Sequence, residues 1–255
     1  MCLTLPPEIL DKILEHVFAS RFEGERTLIA CALVATWWTG PSQRLLFSSV
    51  VINGDNYWQW TNGVLSGSET HLLEYARSLT YHRGHSEVRY RMRDLLHDFG
   101  ECFSALRSLH SLELYDTEID CISQDQFHAC FSAFHETLTY LSLGNIAISF
   151  SSFVTLVNYF PNVTTLELGL FVLEPDGGPI PSSPRPLRGK LHLHEVEADH
   201  LVFLNRFAKL DLKYEELVIE SSGFIFTEAK FVESAIQMST STVKFLRLNV
   251  ELDCE

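Results

Sequence analysis

A short pattern, apolar-x-x-Leu-x-apolar, recurs along most of the chain and constrains its fold more than any other feature of the sequence. Its middle positions are Leu112, Leu141, Leu166, Leu191, Leu217 and Leu246. These leucines follow one another at intervals of 29, 25, 25, 26 and 29 residues. Weaker copies centred on Val50 and Leu79 extend the series toward the N-terminus. Because each interval fits one short strand and a returning segment, the pattern predicts about eight stacked strands.

Sequences with helical periodicity separate these strands at residues 124–136, 149–160, 198–209 and 227–238. In the first of them Phe127, Cys130, Phe131 and Phe134 line one face. The alternation predicts an α/β fold: a solenoid with a parallel sheet inside and helices outside. The array resembles the leucine-rich repeats. The asparagine of their consensus is present only as Asn145, one position out of place, so the resemblance implies an irregular array.

One Pro/Gly-rich stretch, residues 174–188, interrupts this alternation. Its prolines prevent a helix, so we expect a loop there. Such a loop either contacts a partner or is a tolerated surface insertion, and the second interpretation is favoured.

The N-terminal segment reads as three short helices. Pro6 and Pro7 are suited to a helix start, and the following residues place apolar side chains in one stripe. A second helix is expected over residues 27–38, buried because it is apolar nearly all round and ended by Gly40-Pro41. A third is expected over residues 42–46, before the first strand.

Three segments of this region carry a family resemblance: LPPEILDKIL at 5–14, TLIACALVATWW at 27–38 and RLLF at 44–47. In this order they resemble the F-box, in the form common in fungal proteins. The resemblance implies an F-box module at residues 1–47, a repeat domain at 48–255 and docking to a Skp-family adaptor. The adaptor would contact Leu5, Pro6, Pro7, Glu8, Ile9, Leu10, Ile13, Leu14, Leu28, Cys31, Leu33, Val34 and Trp38. The alternative is a helical cap that covers the end of the repeat array.

Side chains alternate along a strand, so residues between the leucines should form the exposed face of the predicted sheet. On this concave face we expect a partner to contact Glu113, Tyr115, Tyr140, Glu167, Lys190, His192, Glu216 and Arg247. Acidic residues outnumber basic ones there, which favours a basic or amphipathic protein segment as the partner. A solvated face without a ligand is the alternative.

The overall charge argues against two classes of partner. Lys+Arg 19 against Asp+Glu 33 gives a net charge of -14, which repels nucleic acid and anionic membranes. Neither a secretory signal nor a membrane-spanning stretch is recognisable, so we expect a cytoplasmic or nuclear protein with six reduced cysteines.

Enzyme chemistry is not expected, since no nucleophile elbow, phosphate loop or spaced metal-ligand set is recognisable in the sequence. The best metal pairs are His82 with His85 and His192 with His194. Without further ligands nearby in sequence, we interpret them as surface histidines and expect no metal or other cofactor.

The resemblance implies the substrate-recognition subunit of a Skp–cullin–F-box ubiquitin ligase. In such a subunit the F-box docks the adaptor and the repeats bind an unidentified protein substrate. The alternative is a non-enzymatic leucine-rich-repeat scaffold, or an F-box protein that acts outside a ubiquitin ligase.

Overall fold

The computed structural model describes residues 6–19, 24–34, 36–56, 59–60, 68–82, 90–91, 103–119, 124–174, 187–194, 212–221 and 243–250. Within these ranges the chain is an α/β protein with five α-helices and two parallel sheets. None of the helices found there is long and apolar enough to cross a membrane. Leu5, the predicted helices at 198–209 and 227–238, and most of the predicted loop at 174–188 lie outside the described residues.

Three helices open the chain: α1 (Pro7–Phe18), α2 (Gly24–Val34) and α3 (Thr36–Leu46). Pro7 stands in the first turn of α1. A backbone N–H at this position would have no partner within the helix, so proline costs no hydrogen bond there. Leu10, Leu14 and Leu28 are buried and form a core separate from that of the sheets. The predicted first helix is therefore present, and the helices pack around three leucines.

The prediction of one buried helix over residues 27–38 is wrong. Helix α2 begins at Gly24, with Glu25 favourably placed in its first turn, and ends at Val34. Helix α3 then runs through Pro41, because packing against α1 and α2 overrides the local preference to stop. The Thr39 hydroxyl donates a hydrogen bond of 2.9 Å to the carbonyl of Ala32 and so satisfies a group at the end of α2.

Twelve strands follow the helices within the described ranges. They are β1 (Ser49–Ile52), β2 (Ser78–Tyr81), β3 (Tyr90–Arg91), β4 (Ser111–Tyr115), β5 (Thr117–Glu118), β6 (Tyr140–Gly144), β7 (Ile146–Ser149), β8 (Thr165–Leu168), β9 (Phe171–Glu174), β10 (Leu187–His194), β11 (Leu212–Ser221) and β12 (Phe245–Val250). Eight form one sheet in the order β1-β2-β4-β6-β8-β10-β11-β12, with every pair parallel. The predicted parallel sheet is confirmed.

The leucines of the sequence pattern form one row across this sheet. In register, Val50 leads to Leu79, Leu112, Leu141, Leu166, Leu191, Leu217 and Leu246. All are buried except Leu246, which is 42% exposed. From the sequence pattern we expect Leu112, Leu141, Leu166, Leu191, Leu217 and Leu246 to be buried in one row. This prediction is wrong at Leu246, because β12 is the edge strand of the sheet and has one described neighbour.

Two α-helices cover part of the leucine side of the sheet. They are α4 (Gln124–Phe131), shorter than predicted and followed by a 3-10 turn at Ser132–Phe134, and α5 (Phe150–Tyr159). The Ser149 hydroxyl caps α5 by accepting a hydrogen bond from the Ser152 amide. Phe127, Phe131, Phe134 and Phe160 pack ring against ring in the core. The apolar faces predicted for these two helices are therefore buried as expected.

A second parallel sheet, in the order β3-β5-β7-β9, was not predicted. The chain turns into β5 at Asp116 and into β7 at Asn145, whose φ angles of 55° and 47° lie in the left-handed region. Asp and Asn are the residues other than Gly that adopt this conformation most readily. The Asn145 side-chain amide donates to the Asp116 carboxylate at 2.5 Å, so the displaced consensus asparagine joins two successive turns.

Candidate functional site

The predicted adaptor-binding residues divide into buried and exposed groups. Leu10, Leu14 and Leu28 form the core of the helices, with Cys31 and Trp38 packed against it. The exposed members of the predicted set are Pro6, Pro7, Glu8, Ile9, Ile13, Leu33 and Val34. The predicted apolar stripe on α1 therefore has a buried side, which packs in the core of the helices, and a side exposed to solvent.

Large apolar side chains are unusually exposed on α2. Leu33 is 83% exposed, Val34 74% and Ile29 49%. On α1, Ile9 is 45% exposed and Ile13 40%. The expectation that the second helix lies buried is therefore wrong, and Ile29 is an exposed residue that the predicted set omits. Clusters of exposed apolar side chains mark interaction sites. We call these five residues the apolar helix surface.

The residues between the leucines lie on the opposite side of the eight-stranded sheet, which we call the polar face. One row in register comprises Val51, Thr80, Glu113, Ser142, Glu167, His192, Val218 and Arg247. All eight residues predicted for the partner-binding face lie on the polar face, most of them half-buried. Val218 departs from the expected exposure and is buried at 2%.

The pairing of β10 with β11 shifts by one residue before the part of the polar face that contains His192 and His194. The shift lies between Gly189 and Lys190, where Gly189 has a φ of 93° that L-residues rarely adopt. Beyond it, His192 pairs with Val218 and His194 with Glu220. The glycine therefore sets which side chains of β10 and β11 meet.

Two histidines and two glutamates come together on three adjacent strands. The Nδ1 atom of His192 lies 3.2 Å from Oε1 of Glu167, and its Nε2 atom lies 3.3 Å from Oε2 of Glu220. His194 approaches the same carboxylates, with Nε2 at 3.7 Å from Glu167 Oε2 and Nδ1 at 3.1 Å from Glu220 Oε2. The two imidazole rings lie 3.6 Å apart, centroid to centroid. We call these four residues the His–Glu cluster.

The interpretation of these histidines as surface residues is wrong for His192. The side chain of His192 is only 12% exposed and that of Glu167 only 19%. The sequence analysis missed the glutamate partners of the histidines because they stand on other strands. Glu167, for example, is 25 residues away from His192 along the chain. That separation equals one repeat interval, so comparing residues one interval apart would have found the pair. The other predicted pair, His82 with His85, is not tested, because His85 lies outside the described residues.

Tyrosine hydroxyls extend the network toward β4. Tyr140 donates a hydrogen bond of 2.6 Å to Glu167 Oε2. The Tyr115 hydroxyl lies 3.5 Å from Ser142 Oγ and from Glu113 Oε2. The polar face is therefore connected by side-chain contacts from β4 to β11.

The electrostatics of this network hold Glu167 charged. Burial alone raises the pKa of its carboxyl, but hydrogen bonds from Tyr140 and His192 and the nearby imidazoles of His192 and His194 lower the pKa below the ordinary value. Burial, together with the hydrogen bond to Glu167, raises the pKa of Tyr140 well above the usual range. Tyr140 thus stays a hydrogen-bond donor at neutral pH.

The acidic character of the face is smaller than the sequence indicates. Besides Glu167, Glu216 is matched by Lys190, whose Nζ atom lies 3.6 Å from its Oε1. Arg247 lies exposed on the edge strand. Part of the negative charge is therefore balanced within the sheet before any partner binds.

Comparison with known proteins produced no match, whether against family models, curated proteins or solved structures.

Proposed function

We propose that this chain is the substrate-recognition subunit of a Skp–cullin–F-box type ubiquitin ligase. Its three N-terminal helices would be an F-box that docks a Skp-family adaptor, and its sheet would present a protein substrate. The observation that carries the proposal is the apolar helix surface. It belongs to the segments of sequence that resemble the F-box.

The energetics of this surface favour a partner over solvent. Helices α1 and α2 already have a core of three buried leucines, so the exposed apolar residues are not needed to hold the helices together. Covering a large aliphatic side chain completely is worth about 1.5–3 kcal/mol. Five such residues on two packed helices would therefore supply a substantial part of a stable interface.

The eight-stranded sheet supports the finer part of the fold proposal, an irregular leucine-rich-repeat solenoid. Its strands follow the chain order, all pairs are parallel, and equivalent leucines stand in one row. Sheets built from successive repeats have this order because each repeat packs only on its neighbours. In such an array the polar face would be the surface that receives the substrate.

A binding measurement with a matched pair of variants tests the docking. The purified full chain is titrated with a purified Skp-family adaptor, and the double variant Ile29→Gln/Leu33→Gln is compared with wild type. Gln suits a helix and removes only the apolar contact. We expect wild type to bind and the double variant to bind at least tenfold more weakly, which corresponds to about 1.4 kcal/mol. The control is Val51→Gln, which removes an exposed apolar residue from β1, outside the helices.

Three outcomes bear on the proposal differently. Absence of binding by wild type, or equal affinity of the double variant, contradicts docking through these helices. Adaptor binding without recruitment of a cullin favours the alternative, an F-box protein that acts outside a ubiquitin ligase. If Val51→Gln weakened adaptor binding as much as the double variant does, the interface would lie elsewhere.

A further inference from the structure

We propose that the His–Glu cluster on the polar face is a binding site for a divalent transition-metal ion of the zinc class. Glu167, His192 and His194 would each supply one ligand atom, and the fourth position would be left to solvent. Glu220 lies beside both histidines. This inference is independent of the adaptor-docking function, because it concerns strands β8, β10 and β11 and not the N-terminal helices.

The positions of the four side chains follow from the sheet. Glu167 on β8 is the register partner of His192 on β10, and His194 lies on the same face two residues further on. Glu220 on β11 is the register partner of His194. Neighbouring strands of a sheet are about 4.8 Å apart, so these residues occupy the corners of a small quadrilateral. Rigid, hydrogen-bonded strands hold all four.

The distances between the candidate ligand atoms are those that a small cation requires. One atom from each of Glu167, His192 and His194 lies within 4.8 Å of the other two. The nitrogen–oxygen separations in the cluster range from 3.1 to 3.7 Å. Tetrahedral zinc with bonds of about 2.0–2.1 Å places its ligand atoms roughly 3.3–3.4 Å apart. Only one nitrogen of each ring can bind the ion, so side-chain rotations must bring ligand atoms that now lie within 4.8 Å of one another to this separation.

A buried ring nitrogen provides an independent indication. Nε2 of His192 is buried and forms no hydrogen bond, although Glu220 Oε2 lies 3.3 Å away. Leaving such an atom unsatisfied is costly, and a metal ion would use its lone pair. Meanwhile Nδ1 of the same ring is hydrogen-bonded to Glu167 at 3.2 Å. This contact leaves Nε2 as the nitrogen of His192 that could bind the ion.

Tyr140 positions the glutamate. Its hydroxyl donates to Oε2 of Glu167, while His192 contacts Oε1 of the same carboxylate. Both oxygens are thus fixed, and the carboxylate cannot turn away from the histidines without losing a hydrogen bond. Hydrogen bonds to a ligating carboxylate are a regular feature of metal sites.

The ligand chemistry selects the class of ion. Calcium and magnesium prefer all-oxygen surroundings, whereas this cluster offers two imidazoles with two carboxylates. Imidazole nitrogen suits zinc, cobalt, nickel and copper, and zinc accepts nitrogen and carboxylate ligands in a tetrahedral arrangement. We therefore assign the site to zinc and use cobalt(II) as its spectroscopic substitute.

The test is metal binding by the purified full chain after treatment with a chelator. Titration with cobalt(II) should give one bound ion per chain, with the intense visible absorption of a four-coordinate site and without the near-ultraviolet bands of thiolate ligands. Zinc should displace the cobalt and raise the melting temperature. The variant His194→Gln should lose both effects. Because His194 is 35% exposed, the fold should tolerate this substitution, and circular dichroism checks that it does.

A matched control lies on the same face. Glu216→Gln removes a carboxylate of β11 that pairs with Lys190 and stands outside the cluster, so metal binding should not change. The proposal is overturned if wild type binds no ion, if His194→Gln binds as wild type does, or if thiolate bands show that cysteines hold the metal. Equal loss of binding in Glu216→Gln would likewise overturn it.

Discussion

At the scale of single residues, Leu141 and Leu246 hold equivalent places in one row of leucines but differ in burial. Leu141 is completely buried in the middle of the sheet, whereas Leu246 is 42% exposed on the edge strand. We expect Leu141→Ala to lower the free energy of unfolding by about 2–5 kcal/mol, because it leaves a cavity among packed side chains. Leu246→Ala should cost less than half as much, since the side chain is already partly open to water.

Denaturant unfolding of the two variants measures this difference directly. The slope of each transition should match that of wild type, so that a change in midpoint reports a change in stability. Equal losses for the two substitutions would mean that Leu246 is covered by a contact absent from the described residues.

The sequence predicted the burial of the inward-facing side chains better than the contacts of the outward-facing ones. A strand alternates its side chains, so the leucine pattern alone indicates which residues are buried. Burial of Leu112 and Leu166, for example, agrees with the prediction. The contacts of His192 depend instead on which residues stand opposite it on β8 and β11, and the shift at Gly189 alters that register. Local sequence does not encode these cross-strand distances.

At the scale of elements, the helices show where tertiary packing overrides the preference of the local sequence. Gly40-Pro41 is a strong local signal for the end of a helix, yet α3 continues to Leu46 because it packs against both α1 and α2. The short strands of the second sheet were not predicted, because their formation also depends on contacts that are distant in sequence. Strands such as Thr117–Glu118 are too short for a periodic pattern, and they pair only because the turns at Asp116 and Asn145 align them.

The edge strand gives a prediction at this scale. Strand β12 pairs with β11 alone among the described strands, and its Phe245 is 71% exposed. Its backbone hydrogen bonds should open without unfolding of the rest of the sheet. We expect hydrogen exchange in the large sheet to be fastest around Leu246, with protection rising toward Leu141. Equal or greater protection around Leu246 would show that β12 is covered, for example by a second copy of the chain.

At the scale of the whole molecule, two surfaces of different chemistry are separated along the chain. The apolar helix surface lies within residues 7–34, and the polar face is built from strands that begin at Ser49. An apolar surface supplies binding energy, whereas a polar face with fixed charges supplies selectivity. This division suits a protein that holds one constant partner and one selected partner. The boundary between the two predicted domains at residue 47 remains a prediction.

The most direct test of adaptor docking is a hydrogen-exchange footprint of the full chain with and without a purified Skp-family adaptor. Exchange should slow in the segments that contain α1 and α2, because the adaptor would cover Ile9, Ile13, Ile29, Leu33 and Val34. Exchange in β12 should not change, and its expected rapid opening makes it a sensitive internal reference. Unchanged exchange in both helices at saturating adaptor, or slowing confined to the strands, would contradict the account.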